Sequence, residues 1–245
     1  RDAEALVLPR PGEALRRERT PGGPPSDRSD VVLRIQVEPN GDAIVEGVET
    51  YAGFEGAGAK VALEQLDDTG RKRAFEHALS RSFRSLELQE VKVEGERQVG
   101  TPLVIRYRAR VAELARASGG RLVMEDVPYP PRLVARFAPA ATRESPLLLG
   151  IDESSSLRIE VSPPSGTTPV AGAPATVESP QGKYTREETV EGGKLVRRDR
   201  LELRRSRVPA ADYPEFARFA AAVDEAQGLP VDVGAVPSNI VEPMK

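Results

Sequence analysis

Between Val31 and Tyr51 the chain alternates apolar and polar residues on both sides of a turn signal, Pro39-Asn40-Gly41-Asp42, and no other stretch constrains the fold as much. Leu33, Ile35 and Val37 share one parity in the first arm, and Ala43, Val45 and Gly47 share one in the return arm. A period of two puts each set on one face of a strand, and Asn-Gly tolerates the positive φ of a tight hairpin turn. A β-hairpin with one apolar face is therefore expected over 31–51. A hairpin alone cannot bury that face, so the rest of the chain must supply a partner layer.

Further short strands are expected to supply most of it. Strand patterns recur at Leu86 to Val93 and Leu103 to Val111. After the break at Gly119-Gly120 they return at Arg121 to Met124, Arg132 to Phe137, Leu157 to Val161, Lys183 to Val190 and Lys194 to Arg205. The last two are joined by Glu191-Gly192-Gly193, a second tight loop. Two interruptions have helical period. Leu63, Leu66, Phe75, Ala78, Leu79 and Phe83 are spaced by threes and fours, which predicts two short helices broken near Asp67-Asp68-Thr69-Gly70, with Asp68 or Thr69 capping the second. Phe216, Phe219, Ala220 and Val223 predict a helix over Asp212 to Ala226, after Pro209.

The expected fold is mainly β: an antiparallel β-sandwich in two lobes, with a single large sandwich as the alternative, and with a short helical insert in the first half and a C-terminal helix. Residues 1–29 read as the end of a preceding domain and a Pro-rich linker. Residues 30–118 form the first β-rich lobe with the insert, 119–227 the second with the C-terminal helix, and the Pro-rich 228–245 a tail.

Composition narrows the chemistry. The 245 residues include no Cys and one His, His77, so disulfides, thiolate nucleophiles, cysteine zinc sites and multi-histidine metal sites are closed within the chain. A net charge of -3 lacks the basic excess of a nucleic-acid binder, and no run approaches the roughly 20 apolar residues of a membrane span. His77 has Arg73 and Arg81 four residues to either side and no orienting carboxylate, which makes it a surface or boundary residue. The acidic pairs Asp67-Asp68, Glu125-Asp126, Asp152-Glu153 and Glu187-Glu188 fall at turns or on solvated strand faces, and none forms a calcium loop. Gly53, Gly56 and Gly58 match neither phosphate-cradling pattern and suit a strand-to-helix turn. No catalytic, cofactor-binding or metal-binding residue is expected. The sharpest charge feature is the run Arg197-Arg198-Asp199-Arg200 through Arg207. On an alternating strand Arg198, Arg200 and Arg204 form one outward stripe, a candidate interaction face for an acidic partner or a carboxylate-bearing polymer.

Several segments in order resemble the non-catalytic C-terminal region, a domain of unknown function, of bacterial transglutaminase-like multidomain proteins. They are Ala5-Leu6-Val7-Leu8, Val45 to Gly53 with the helical insert after it, Asp126-Val127-Pro128-Tyr129-Pro130-Pro131-Arg132-Leu133, Thr142 to Leu149, and Val208 to Phe216. The family's activity depends on a Cys-His-Asp triad in a preceding core. With no cysteine here, no catalytic residue carries over. The resemblance implies an accessory module, not an enzyme, in a periplasmic or exported protein, with the preceding catalytic domain of the same chain as partner and an anionic envelope polymer or protein as a second one. A carbohydrate- or cell-surface-binding β-sandwich is the alternative, weakened by the absence of Trp. A hydrolase built on carboxylates is the third reading.

Overall fold

The structure is a computed structural model that describes residues 4–7, 14, 16–19, 27–98 and 100–236. The expected hairpin forms as β3 (Asp27–Val37) and β4 (Ala43–Ala52), with Gly41 at φ 89° in the turn. Asp42 ties this turn to the next connection: its carboxylate accepts from Arg110 at 2.9 Å and from the Glu113 amide at 3.0 Å. The insert follows as α1 (Gly53–Glu64) and α2 (Asp68–Leu79). Asp67, not Asp68 or Thr69, caps α2, accepting the Gly70 amide at 2.7 Å. Arg71 closes the end of α1 by donating to the Leu63 and Leu66 carbonyls while its fork grips Glu96 at 2.6 and 2.9 Å.

The remaining elements are β5 (Leu86–Glu94), β6 (Leu103–Val111), β7 (Arg116–Ser118), β8 (Arg121–Met124), α3 (Leu133–Phe137), β9 (Leu147–Leu149), β10 (Glu153–Ser162), β11 (Ala175–Ser179), β12 (Gly182–Glu191), β13 (Lys194–Leu203), β14 (Ser206–Val208), α4 (Tyr213–Gly228) and β15 (Val231–Ala235). At the N-terminal side β1 (Glu4–Val7) and β2 (Arg16–Arg19) pair with each other. Much of the expected linker within 1–29 lies outside the described residues, but β3 already begins at Asp27.

One eight-stranded sheet spans both halves, in the order β11-β12-β13-β10-β3-β4-β6-β5. Each half contributes four antiparallel strands, and the halves join edge to edge through β3 and β10, which run parallel. The outer face is a lattice of charge pairs. The inner face is covered by three masses. The small sheet β15-β8-β7 lies over the middle, so Leu122, Met124, Val231 and Val233 share a core with Leu33, Ile35, Val45, Ile159 and Leu195. The helical insert covers one flank. On the other, α3 and α4 cover Tyr184, Leu201 and Leu203 with Phe216, Phe219, Ala220 and Val223.

Two expectations need correction. Arg132 to Phe137 is not a strand but the helix α3 at Leu133–Phe137. The Asp224 carboxylate of α4 accepts the Leu133 and Val134 amides at 2.8 and 2.9 Å, satisfying donors that a helix start leaves open. The chain past residue 228 is not all a loose tail, because β15 pairs with β8 and buries Val231 and Val233 completely. Residues 237–245 lie outside the described set.

Candidate functional site

A cleft of about 990 Å³ runs across the inner sheet face at the seam between the halves. The reason is side-chain size. Ser29 of β3 and Ser155 of β10 face each other in the parallel register, and flanking them are the taller Tyr51 opposite Ser29 and Leu201 opposite Ser155. Ala59, Ala62 and Leu63 of α1 and Phe75 and Leu79 of α2 form one wall; Tyr129 to Arg132, Arg136 of α3 and Gln227 of α4 form the other. Phe54 and Ile151 stand at the rim, 77% and 38% exposed.

The polar part of the lining is a buried carboxylate ringed by phenols. Glu49 accepts from the Tyr51 hydroxyl at 2.6 Å and from the Tyr129 hydroxyl, which in turn lies 2.9 Å from the Tyr107 hydroxyl. Burial pushes the Glu49 carboxyl above its usual range, and the donors from Tyr129 and Tyr51 pull it back only in part. The same burial, joined by the charge of Glu49, holds Tyr129 and Tyr107 well above the ordinary phenol range, so they stay protonated donors. Tyr107 reaches this ring because it lies across Gly47, its partner in the β4–β6 register; a Cβ at position 47 would stand 2.1 Å from the phenol ring.

Tyr129 is aimed by strained backbone. Tyr129 and Arg132 both take left-handed conformations, φ 56° and 51°, on either side of Pro130-Pro131. Such conformations at non-glycine residues cost about 1–3 kcal/mol each and persist where surrounding contacts over-determine them. Here the contacts are the Tyr129 ring packed edge-on against Phe83 at 6.2 Å, the Glu49 bond, and the Asp224 clamp on α3. Farther along the chain, Arg136 grips Glu153 at 2.5 and 3.0 Å at the cleft edge. Asp27 accepts the Phe54 amide at the start of α1, and Glu55 follows at the mouth. Burial, then the nearby charge of Glu153, raises Glu55 as well.

Behind the cleft's far end lies a second ionic group. Arg197, fully buried, forks onto Asp199 at 2.9–3.1 Å and donates to the Gln227 and Leu229 carbonyls at 2.6 and 3.1 Å; Glu188 lies 3.6 Å away. Arg186 adds a bond to the Ala226 carbonyl at 2.9 Å. The two guanidiniums thus close the C-terminal end of α4, where unpaired carbonyls and the helix dipole favour cations. Burial alone would depress Arg197, but the bonds and charge of Asp199 outweigh it and keep it charged. The Tyr184 hydroxyl, beside this group and on the cleft lining, is buried with no hydrogen-bond partner among the described residues.

The candidate interaction residues lie on the opposite face. Arg198 pairs with Glu191 at 3.0 Å, Arg200 with Glu202 at 2.8 Å, and Arg204 follows β13, 3.4 Å from the Pro180 carbonyl. Neighbouring strands repeat the pattern in Arg158–Glu160 and Arg106–Glu94, so the stripe belongs to a mixed-charge surface. His77 is exposed on α2, 3.4 Å from an Arg81 nitrogen, and does not line the cleft. Of the acidic pairs, Asp67 caps α2, Asp126 meets Arg84 at 3.2 Å, Asp152 accepts the Arg205 amide at 2.9 Å, and Glu188 turns inward to Arg197. Gly53, at φ 76°, and Gly56, where a Cβ would stand 2.5 Å from the Tyr51 carbonyl, serve the strand-to-helix turn. Among the described residues no three His, Asp or Glu side chains are grouped to hold a metal, and no helix is long and apolar enough to cross a membrane.

Sequence reasoning passed over Glu49, Tyr129 and Tyr184 as site residues and read Arg197 and Asp199 only as part of a charged run. For three of them a signal existed. Glu49 keeps the inward parity of Val45 and Gly47, and Arg197 and Asp199 keep that of Leu195 and Leu201, so each is a charge at a position the pattern assigns to the core.

Fold and cleft together define a mainly-β protein whose one broad sheet carries a groove between helical walls. Within it, residues 126–231 match the family model of a domain of unknown function with a solved structure, DUF3858, running from just before α3 through α4 to the first residue of β15. No curated protein matches the chain.

Proposed function

We propose that this chain is a non-catalytic interaction module of a bacterial transglutaminase-like protein of the cell envelope, and that it positions the catalytic domain or that domain's partner. The observation that carries the reading is the cleft itself: a wide groove with an apolar rim whose most deeply buried charges are already held by neighbouring side chains. Glu49 is held by phenols, Arg197 by Asp199, and the one histidine, His77, is not among the residues that line the groove with its serines. Such a lining suits binding better than proton transfer, which needs a base within hydrogen-bond reach of its target. The resemblance of the segments around Tyr129 and Val208 to transglutaminase-associated domains supplies the partner, and the DUF3858 match over 126–231 is compatible with it. A sugar-stacking platform is less favoured, since Phe54 is the only aromatic among the large exposed apolar residues described.

The test titrates the purified chain against a separately expressed transglutaminase-like catalytic domain from the same protein by calorimetry, and assays the chain alone for ammonia release from a glutamine peptide. Association without turnover is expected. Absence of association, or turnover lost in His77→Ala, would overturn the reading.

A further inference from the structure

We infer that the cleft is a docking groove for an extended polypeptide segment of a partner protein, about six residues long, apolar along its length and carrying one lysine or arginine. This deepens the interaction-module reading and rests on it. Three independent features converge on that occupant.

Dimensions come first. From Tyr51 to Tyr184 the floor crosses β4, β3, β10, β13 and β12, four strand spacings or roughly 19 Å, which an extended chain covers with about six residues. Every floor strand is paired on both sides, so the guest adds no strand and lies across the sheet on side chains. Charge comes second. At the α1 end, Asp27, Glu55 and Glu153 gather around one guanidinium, Arg136, which Glu153 already holds. Among the described residues Glu55 has neither ion pair nor hydrogen bond, so the corner presents uncompensated negative charge to whatever enters. The other lining cations are Arg81, just past α2, and Arg132 of the facing wall, which is tied to the Arg81 carbonyl at 3.1 Å. The third feature is the rim, where the exposed Phe54 and Ile151, next to the alanines of α1, supply the apolar contact expected of a protein-binding groove.

The probe is a fluorescein-labelled, capped hexapeptide of alternating valine and alanine with one lysine, titrated by anisotropy against the full chain. Versions carrying glutamate or norleucine in place of lysine, and decylammonium as a free cationic amphiphile, complete the series. The lysine peptide should bind at least about tenfold more tightly than the glutamate one, and Glu55→Lys at the exposed mouth should erase that preference. Ser155→Leu, which fills the floor, should abolish binding, and Arg200→Gln on the outer face should leave it unchanged. Equal affinity for lysine and glutamate peptides, or retention of the preference in Glu55→Lys, overturns the proposal even if Ser155→Leu fails to fold. Decylammonium displacing the peptide at equal concentration also overturns it, in favour of a small amphiphile. Titrating the catalytic domain against wild type and Glu55→Lys separates the two readings: association unaffected by Glu55→Lys, with no peptide binding, sinks the groove and leaves the module standing. No association at all sinks the module.

Discussion

Tyr107 can lie across β4 only because residue 47 carries no side chain, so the phenol ring around Glu49 depends on a glycine that touches neither Glu49 nor the cleft. Gly47→Ala should force the ring away, break the Tyr107–Tyr129 bond and cost about 1–3 kcal/mol, the usual range for overpacking, read as a lowered urea midpoint. Glu49 itself makes a pH-dependent contribution whose sign follows from burial. Its carboxyl is raised above the reference 4.5, so the folded protein holds a proton that the unfolded chain releases. Stability from this site is greatest below the unfolded value and falls as pH rises through the folded one. Glu49→Gln removes that fall. The melting temperature of the variant minus that of wild type should therefore increase from about pH 4 to about pH 8, and a flat difference would refute the protonation argument. Both residues could have been singled out in the sequence: a glycine and a glutamate at inward parity of a confident strand are anomalies of the pattern. Tyr129 could not, because only the fold brings it within bonding distance of a residue eighty positions earlier.

Elements were legible where period and punctuation agreed, as in β3–β4, the insert and α4, and illegible where a short apolar run fits either period. Leu133–Phe137 is such a run, and a carboxylate ninety residues away made it helical. The edge strand β11 and the short β9 and β14 carried too few residues to show a period. In α4 the two determinants can be separated. Phe219→Ala, stripping a buried ring from the face that meets Leu201 and Leu203, should cost about 3–5 kcal/mol. Arg197→Ala attacks the helix end instead, leaving Asp199 and Glu188 buried without their cation, and should cost a similar 3–5 kcal/mol. Arginines on the outer face of the same strand and just past its end provide the contrast. Replacing Arg198, Arg200 and Arg204 together by Gln should change folding stability little, because exposed ion pairs are worth only about 0–1 kcal/mol each. Thermal melts of the three proteins under one buffer test the ranking, and a triple variant as unstable as Arg197→Ala would show that the outer lattice holds the sheet together.

At the scale of the molecule the decisive contact is the parallel pairing of β3 with β10, which a reader of the sequence could not anticipate because the two strands are separated by more than a hundred residues and look alike in pattern. Without it the halves would be two small antiparallel sheets, each with a long exposed edge. With it there is one sheet, and the core of the first half already contains Leu157, Ile159, Val161 and Leu195 of the second. The cleft exists only in the joined state, since its floor serines come one from each side of the seam. Packing that is shared in this way predicts shared unfolding. Tyrosine fluorescence, weighted toward the phenols around Glu49, and far-UV circular dichroism should report a single coincident urea transition. Ile159→Ala, in the seam and fully buried, should lower that transition for both probes by the same free energy, about 2–5 kcal/mol, although Ile159 belongs to the second half and two of the three phenols around Glu49, Tyr51 and Tyr107, lie in the first. Two separated transitions, or a loss confined to one probe, would mean that the halves stand independently and that the seam is a contact between lobes rather than the middle of one sheet.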